Sequence, residues 1–499
     1  MRFVPAALAL AALPVLIRLP YLAEPFDTDE GGYAYIARAL LDGQVPYRDA
    51  WDNKPPLTFF AYAAAIAVSD RPEAIRLLAA VVVALATLLL IGLGREAFDR
   101  RTGLLAGAIF VLATATPRLQ GTNANTEIFL LPGWIAGSWV ILVGLRTGAR
   151  WTWPLAGAQT GVAILAKPVA GWLLIALAAT LALLIARRGL SLRSGLGRMA
   201  AFAAGLTVAL LPVGVYFAAH QALGEALHAV VWFNRLYLVR NLTFALDQYG
   251  LGAMLFAPNR EVVLDDPFIW LFGLVGLVTV PSLRCLGGAR TAFLVAWSIA
   301  GYLGAKTGWL ELPHYYLQLV PPLALWSAAY LTRALPAIGK RKRRTARLIG
   351  LVGAGLLLWT LAAGAPAWLA GSPERFHELK FPFPDRGAWD TQATAIAAEL
   401  RGRTSPGESV FIWGREPQIY YYAGRRSASR YIHDRPAWIE AGVIERIRAD
   451  LAAARPRYVL DTLDPIFFPE ATRPAEAILP PGYREAGRWG FARVFERID

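Results

Sequence analysis

A chain of 499 residues that is 56% hydrophobic, with a mean hydropathy of +0.41, is too apolar for a water-soluble protein of this length. Its net charge of +14 would suggest nucleic acid as a partner in a soluble protein. Here the basic residues fall between long apolar runs, a pattern of membrane topology, so no nucleic-acid role is expected. The single cysteine, Cys285, excludes an intramolecular disulfide and a cysteine-built metal cluster.

The first apolar run, 4–21, has no clean small-residue cleavage site after it and reads as an uncleaved span rather than a signal peptide. A polar loop, 22–73, follows at once and carries Asp27, Asp29, Glu30, Asp42, Asp49, Asp52 and Lys54. Ionisable groups beside a membrane segment are costly and tend to mark function, so this segment reads as an active-site loop at the membrane surface. Further apolar runs lie at 74–94, 103–116, 128–145, 154–166, 169–186, 199–220, 267–283, 291–305, 314–331 and 348–369. With the first run they give about eleven spans of a bilayer about 30 Å thick. Lys or Arg follow every even-numbered run: Arg95, Arg100 and Arg101; Arg146 and Arg150; Arg187 to Arg198; Arg284 and Arg290; Lys340 to Arg347. The positive-inside rule makes those loops cytoplasmic, with the N-terminus inside and the C-terminus outside. In that register the apolar stretch 57–68 is an interfacial or re-entrant helix of the first outer loop, not a span. The third, fifth and ninth spans are short and end on the outer side at Pro117, Lys167 and Lys306, which suits helix ends around a water-filled cavity.

The expected fold is therefore a polytopic α-helical membrane protein with a small α/β domain after it. Residues 1–370 form the transmembrane domain, with 22–73 as first outer loop and 221–266 as a second, bearing short amphipathic helices. Residues 371–499 alternate helix 391–401, strand 409–413, helix 416–423, strand 428–432, helix 438–454, strand 457–461 and a hairpin around 483–496, the pattern of a soluble extracytoplasmic α/β domain.

Asp29 and Glu30, with Asp27 beside them, lie just past the outer end of the first span, where a carboxylate can serve as general base for a hydroxyl acceptor. The plainer reading is helix capping, with Asp29 or Thr28 capping a helix that begins near Gly31. Asp27-x-Asp29 could also give a divalent cation two oxygens, but two carboxylates at this spacing are a weak signal and no cofactor is assigned. Lys54 is stiffened by Pro55 and Pro56 and suits a lipid phosphate as a point-charge partner; the alternative is a lysine snorkelling to headgroups. Lys167 and Lys306 repeat a lone lysine on the outer side, and three together suggest an anionic ligand. Glu127, after Asn125 and Thr126, starts the fourth span among amides and hydroxyls suited to a sugar, or is simply an acid at a helix start. His314 and Tyr315 could bind substrate or belong to an interfacial aromatic belt.

These segments resemble the bacterial branch of the protein O-mannosyltransferase and aminoarabinose transferase superfamily, the GT-C glycosyltransferases. The resemblance rests on Asp29-Glu30 followed by Tyr33-Ala34-Tyr35-Ile36-Ala37-Arg38, then Asn53-Lys54-Pro55-Pro56-Leu57, Leu165-Ala166-Lys167-Pro168, and Leu312-Pro313-His314-Tyr315-Tyr316 leading to Val320-Pro321-Pro322. It implies a multi-pass protein of the bacterial inner membrane that takes a sugar from a polyprenyl-phosphate-linked donor and passes it to a lipid, glycan or protein acceptor on the outer face. Asp29 then matches the family's base, Lys54 its donor-phosphate lysine, and Glu127 an acid at the start of the fourth span. The family's metal use is mixed, so no metal follows. Two other classes fit the same outward cavity: a lipid or sugar transporter, and a non-catalytic protein that binds the lipid carrier. No internal repeat supports the first.

Overall fold

The apolar runs fold as helices, the only spanning form that satisfies every backbone group within one segment. The computed structural model describes residues 3–256, 259–308, 312–381, 386–463 and 474–498. Two compact units emerge: Met1–Leu22 with Arg76–Val215 and Asn241–Gly371, and Ala23–Ile75 with Tyr216–Arg240 and Ser372–Asp499.

In the first unit every regular element among the described residues is a helix. Six helices among the described residues are long and apolar enough to cross a membrane: Phe3–Tyr21, Pro72–Ala97, Thr126–Thr147, Pro168–Ala186, Leu192–Ala219 and Arg343–Trp368. The other apolar runs also form helices, Arg100–Ala115, Thr152–Ala166, Pro267–Thr279, Gly288–Lys306 and Val320–Ala329. They are shorter or less apolar, which leaves the chain a polytopic α-helical membrane protein without fixing a count of eleven. Small residues let these helices approach closely. A Cβ on Gly157 would run into the Phe202 carbonyl, and one on Gly205 into that of Pro154, so Thr152–Ala166 and Leu192–Ala219 touch backbone to backbone. Trp326 is fully buried and donates its indole N–H to Ser298 Oγ at 2.8 Å.

The second unit joins the acid-rich loop to the C-terminal residues, a grouping drawn differently from the split at residue 370. Its sheet contains β1 (Ser409–Gly414), β2 (Arg426–Ser427), β3 (Tyr458–Thr462), β4 (Tyr483–Trp489) and β5 (Ala492–Arg497), in the order β2-β1-β3-β5-β4. β1 runs parallel to β2 and β3, and β5 is antiparallel to β3 and β4. Val410 to Trp413 are all buried, as an unalternating apolar strand should be when both faces are covered. The strand expected at 428–432 is shorter and earlier, because Tyr431 instead bridges Trp51 of the loop. The helix expected at 438–454 is broken into Arg435–Ile439 and Val443–Ala454 by Gly442, whose φ of +82° ends helical geometry.

The loop docks because its own apolar groups need a partner. Helix Thr28–Leu41 buries Tyr33, Tyr35 and Ile36, and its Gly31 lies so close to Gln418 that a Cβ would meet Gln418 Cβ at 2.3 Å. Trp51 donates its N–H to the Arg430 carbonyl at 2.8 Å, and Phe26 its N–H to the Tyr422 hydroxyl at 2.7 Å. The stretch 57–68 is one helix, Leu57–Val68, of 12 residues; at 1.5 Å per residue, about 18 Å in all, it is too short to span alone.

Candidate active site

Three acids open helix Thr28–Leu41, and the structure separates their tasks. Asp27 is the N-cap: its Oδ1 accepts the Glu30 N–H at 2.8 Å, and Glu30 Oε2 accepts the Asp27 N–H at 3.3 Å, a reciprocal capping box. Both are buried. The cap is thus Asp27, not Asp29 or Thr28, and the helix starts at Thr28 rather than Gly31. As candidates for catalysis, Asp27 and Glu30 have carboxylates taken up by the helix start. Asp29, inside the first turn, is left to face other side chains: Oδ2 is 3.5 Å from the Lys54 ammonium and Oδ1 is 3.8 Å from the Arg435 guanidinium.

Lys54 is held from several directions. Asp52 Oδ1 accepts its N–H at 2.9 Å, and the Tyr47 hydroxyl donates to its carbonyl at 2.8 Å. Tyr47 is fully buried and adopts φ +71°, an unfavourable conformation for a bulky side chain that persists only where its surroundings demand it. Next door, the Asn53 side-chain amide donates to Asn234 Oδ1 at 2.7 Å, and the Asn234 amide donates to the Asn53 backbone carbonyl at 2.8 Å. The ammonium itself lies 5.6 Å from the centre of the Tyr33 ring. Burial works to discharge Lys54, but the Asp29 and Asp52 carboxylates outweigh it and raise its pKa above the ordinary lysine value. Burial likewise acts to raise Asp52, and His433 with Lys54 more than reverses it, so this carboxylate is held below its usual range. The pair is a fixed cation beside a fixed anion at neutral pH.

Arg435 and His433 went unseen in the sequence. His433 Nε2 stands 3.5 Å from Asp52 Oδ2. Both residues sit in His433-Asp434-Arg435-Pro436, a charged tetrapeptide near a proline with nothing to tie it to a loop that lies far earlier in the chain.

The first unit gathers a second set of candidates. Glu127, with its side chain 2% exposed, is ion-paired with Lys167, accepts the Thr126 hydroxyl at 2.9 Å, and has His314 Nε2 3.9 Å away. His314 Nδ1 is 2.7 Å from Gln120 Oε1, and the Lys167 ammonium lies 3.9 Å from the centre of the Tyr315 ring. Glu127 therefore does more than begin a helix, since its carboxylate turns to side chains. Asn125 precedes that helix, buried, with neither side-chain amide atom hydrogen-bonded among the described residues. Lys306 is buried with its ammonium 5.7 Å from the Tyr302 ring. A metal at Asp27 and Asp29 fits poorly: one carboxylate is occupied by the cap and the other faces two cations. Among the described residues no group of three or more His, Cys, Asp or Glu is placed to hold an ion.

Comparison with known proteins bears on the whole arrangement. Residues 53–217, which include Lys54, Glu127 and Lys167, match the model of the dolichyl-phosphate-mannose-protein mannosyltransferase family. No curated protein matches the chain. Among solved structures, the chain is similar to the archaeal oligosaccharyltransferase AglB from Archaeoglobus fulgidus in complex with an inhibitory peptide and a dolichol-phosphate, with a TM-score of 0.57, 14% identity, 92% of this chain covered and 69% of that one. It is also similar to ArnT from Cupriavidus metallidurans in the apo state, with a TM-score of 0.56, 15% identity and coverage of 99% and 96%. ArnT bound to undecaprenyl phosphate matches with a TM-score of 0.51, 15% identity and coverage of 99% and 97%. The resemblance read from the motifs between Asp29 and Pro322 is borne out: the chain is similar in fold to the GT-C glycosyltransferases AglB and ArnT, and residues 53–217 match the mannosyltransferase family model.

Proposed function

We propose that this protein is a membrane glycosyltransferase that moves a sugar from a polyprenyl-phosphate carrier to an acceptor hydroxyl. The observation that carries the reading is the Asp29–Lys54 pair, fixed on a capped helix and a double-proline turn within a GT-C fold. The polyprenyl phosphates in the AglB and ArnT structures support the carrier class. In this mechanism Asp29 takes the proton of the acceptor O–H as its oxygen attacks the anomeric carbon. The bond from that carbon to the phosphate oxygen breaks and its electron pair stays on the phosphate. Lys54 stabilises the charge that grows there. Direct displacement inverts the anomeric centre. Within the first unit, Glu127, Asn125, His314 and Tyr315, with Lys167, form a separate polar cluster of the kind a sugar's hydroxyls require, and Lys167 and Lys306 are cations of the kind an anionic ligand selects. No step is routed through a metal. The acceptor is a lipid, glycan or protein on the outer face of a bacterial inner membrane, with the N-terminus inside and the C-terminal residues outside.

Carboxylates of transporters usually lie near the bilayer midplane, whereas Asp29 opens a helix of a polar loop, which favours chemistry over transport. The separating experiment gives the purified protein a radiolabelled undecaprenyl-phosphate sugar with a membrane extract as acceptor source. Free undecaprenyl phosphate should accumulate. A donor that is bound or moved but recovered intact would support the transporter or carrier-binding reading instead.

A further inference from the structure

The carboxylate assigned as base does not stand alone in its site. Asp29 Oδ2 faces the Lys54 ammonium at 3.5 Å, and Oδ1 faces the Arg435 guanidinium at 3.8 Å. Each oxygen has its own cation, one from the loop and one from the segment after β2. Arg435 is no freely solvated arginine. Its side chain is 20% exposed, its guanidinium lies 5.9 Å from the Tyr237 ring, and Pro436 follows it at the start of a short helix.

A carboxylate whose two oxygens each face a cation offers fewer open lone pairs to an incoming hydroxyl. The cations that hold it are, in turn, the groups a phosphate would select: lysine as a point charge, arginine as a planar fork that matches two phosphate oxygens. Phosphate and Asp29 therefore compete for the same two side chains.

We infer that Arg435 is a second phosphate-binding cation, and that Asp29 and the donor phosphate compete for Arg435 and Lys54, so that the phosphate-linked donor must bind before Asp29 can act. This rests on the glycosyl-transfer reading above and adds to it a residue and an order of binding. When the donor enters, its phosphate oxygens replace those of Asp29 at the ammonium and the guanidinium, and the released carboxylate turns to the acceptor hydroxyl. In the transfer step the hydroxyl proton passes to Asp29. The electron pair of the broken carbon–oxygen bond stays on the phosphate, whose added charge the two cations hold. As the product phosphate leaves, Asp29 gives its proton to water and the cations close on it again.

The test is the affinity of the full-length protein for undecaprenyl phosphate in detergent, measured by titration calorimetry. Arg435→Ala should weaken binding about tenfold or more, with Arg435→Lys between it and the wild type; the lysine variant keeps the test open should the alanine variant fail to fold. Asp29→Asn should bind the lipid about three- to tenfold more tightly, because it removes the competitor. Asp42→Asn, which removes an acid paired with Arg426 at 3.3 Å in the same unit, should bind as the wild type does. A gain on removing Asp29 is a sign that a merely structural role would not give. Unchanged or weaker binding in Asp29→Asn, equal tightening in Asp42→Asn, or unchanged binding in both Arg435 variants would overturn the inference. If Lys54→Ala weakens binding while any of these outcomes holds, the inference fails and the glycosyl-transfer reading stands. If Lys54→Ala itself binds normally, the glycosyl-transfer reading fails with it.

Discussion

Replacing Lys54 by alanine should damage donor binding selectively. The ammonium is 3.5 Å from Asp29, its side chain is 17% exposed, and its backbone is tied at both N–H and carbonyl by Asp52 and Tyr47. Little ordering entropy then remains to be lost when it meets a phosphate. A charge-assisted hydrogen bond of this kind contributes about 1.5–3 kcal/mol, which corresponds to about 10- to 150-fold in affinity. The fold should survive, since a partly exposed ion pair stabilises by at most about 1 kcal/mol. Lys54→Arg should keep part of the function, because its charge remains while its planar fork does not fit a point-charge position. Because Lys54 is raised above the ordinary lysine value, its contribution to phosphate binding should be present through neutral pH and fade only as pH rises past that value. The assay is donor and acceptor affinity measured in parallel for both variants. If Lys54 merely snorkels to headgroups, both ligands change slightly and Ala and Arg behave alike. Normal donor affinity in a folded Lys54→Ala protein would refute the phosphate role.

Asp27→Ala should cost about 0.5–2 kcal/mol of stability through loss of the cap, seen as a lowered Tm, with much less effect on turnover than a change at Asp29; the reverse ranking would make Asp27 the reacting acid. Glu127→Gln removes the carboxylate paired with the Lys167 ammonium and should cost about 3–5 kcal/mol; adding Lys167→Met should restore much of the thermal stability, and no recovery would mean the pair is not coupled. His377 is fully buried between Glu24 at 2.8 Å and Asp390 at 3.0 Å. Burial lowers its pKa, but the two carboxylates more than compensate and raise it above 6.5. A raised group stabilises fully below its unfolded value and loses that contribution as pH climbs through its folded value. Wild-type Tm should therefore fall on going from pH 6 to pH 9 more steeply than that of His377→Gln, and parallel profiles would exclude a charged His377.

Much of this was legible where the information is local. Apolar runs marked helices because length and composition alone decide whether a segment can cross a bilayer. Asp29 and Lys54 stood out because charge beside a span, and a lysine before two prolines, are visible over a few residues. The same local view took Asp29 or Thr28 as the cap and missed Asp27, since Asp and Thr both cap well and the choice depends on where the helix starts. It also could not bring Arg435 to Asp29 or His433 to Asp52, which only tertiary folding does. Nor could it anticipate that Tyr35, Ile36 and Trp51 would fold the loop against the C-terminal residues. The shortened β2 has the same origin: Tyr431 suits a strand by propensity, but Trp51 takes it as a partner.

In the proposed mechanism Asp29 takes the acceptor proton while a polyprenyl phosphate leaves. A single-turnover measurement with radiolabelled undecaprenyl-phosphate sugar, comparing wild type with Asp29→Asn at equal donor occupancy, tests it most directly. Sugar transfer and release of undecaprenyl phosphate should fall together by about 100-fold or more in the variant, with donor still bound. Transfer at near the wild-type rate by a folded Asp29→Asn protein would contradict it.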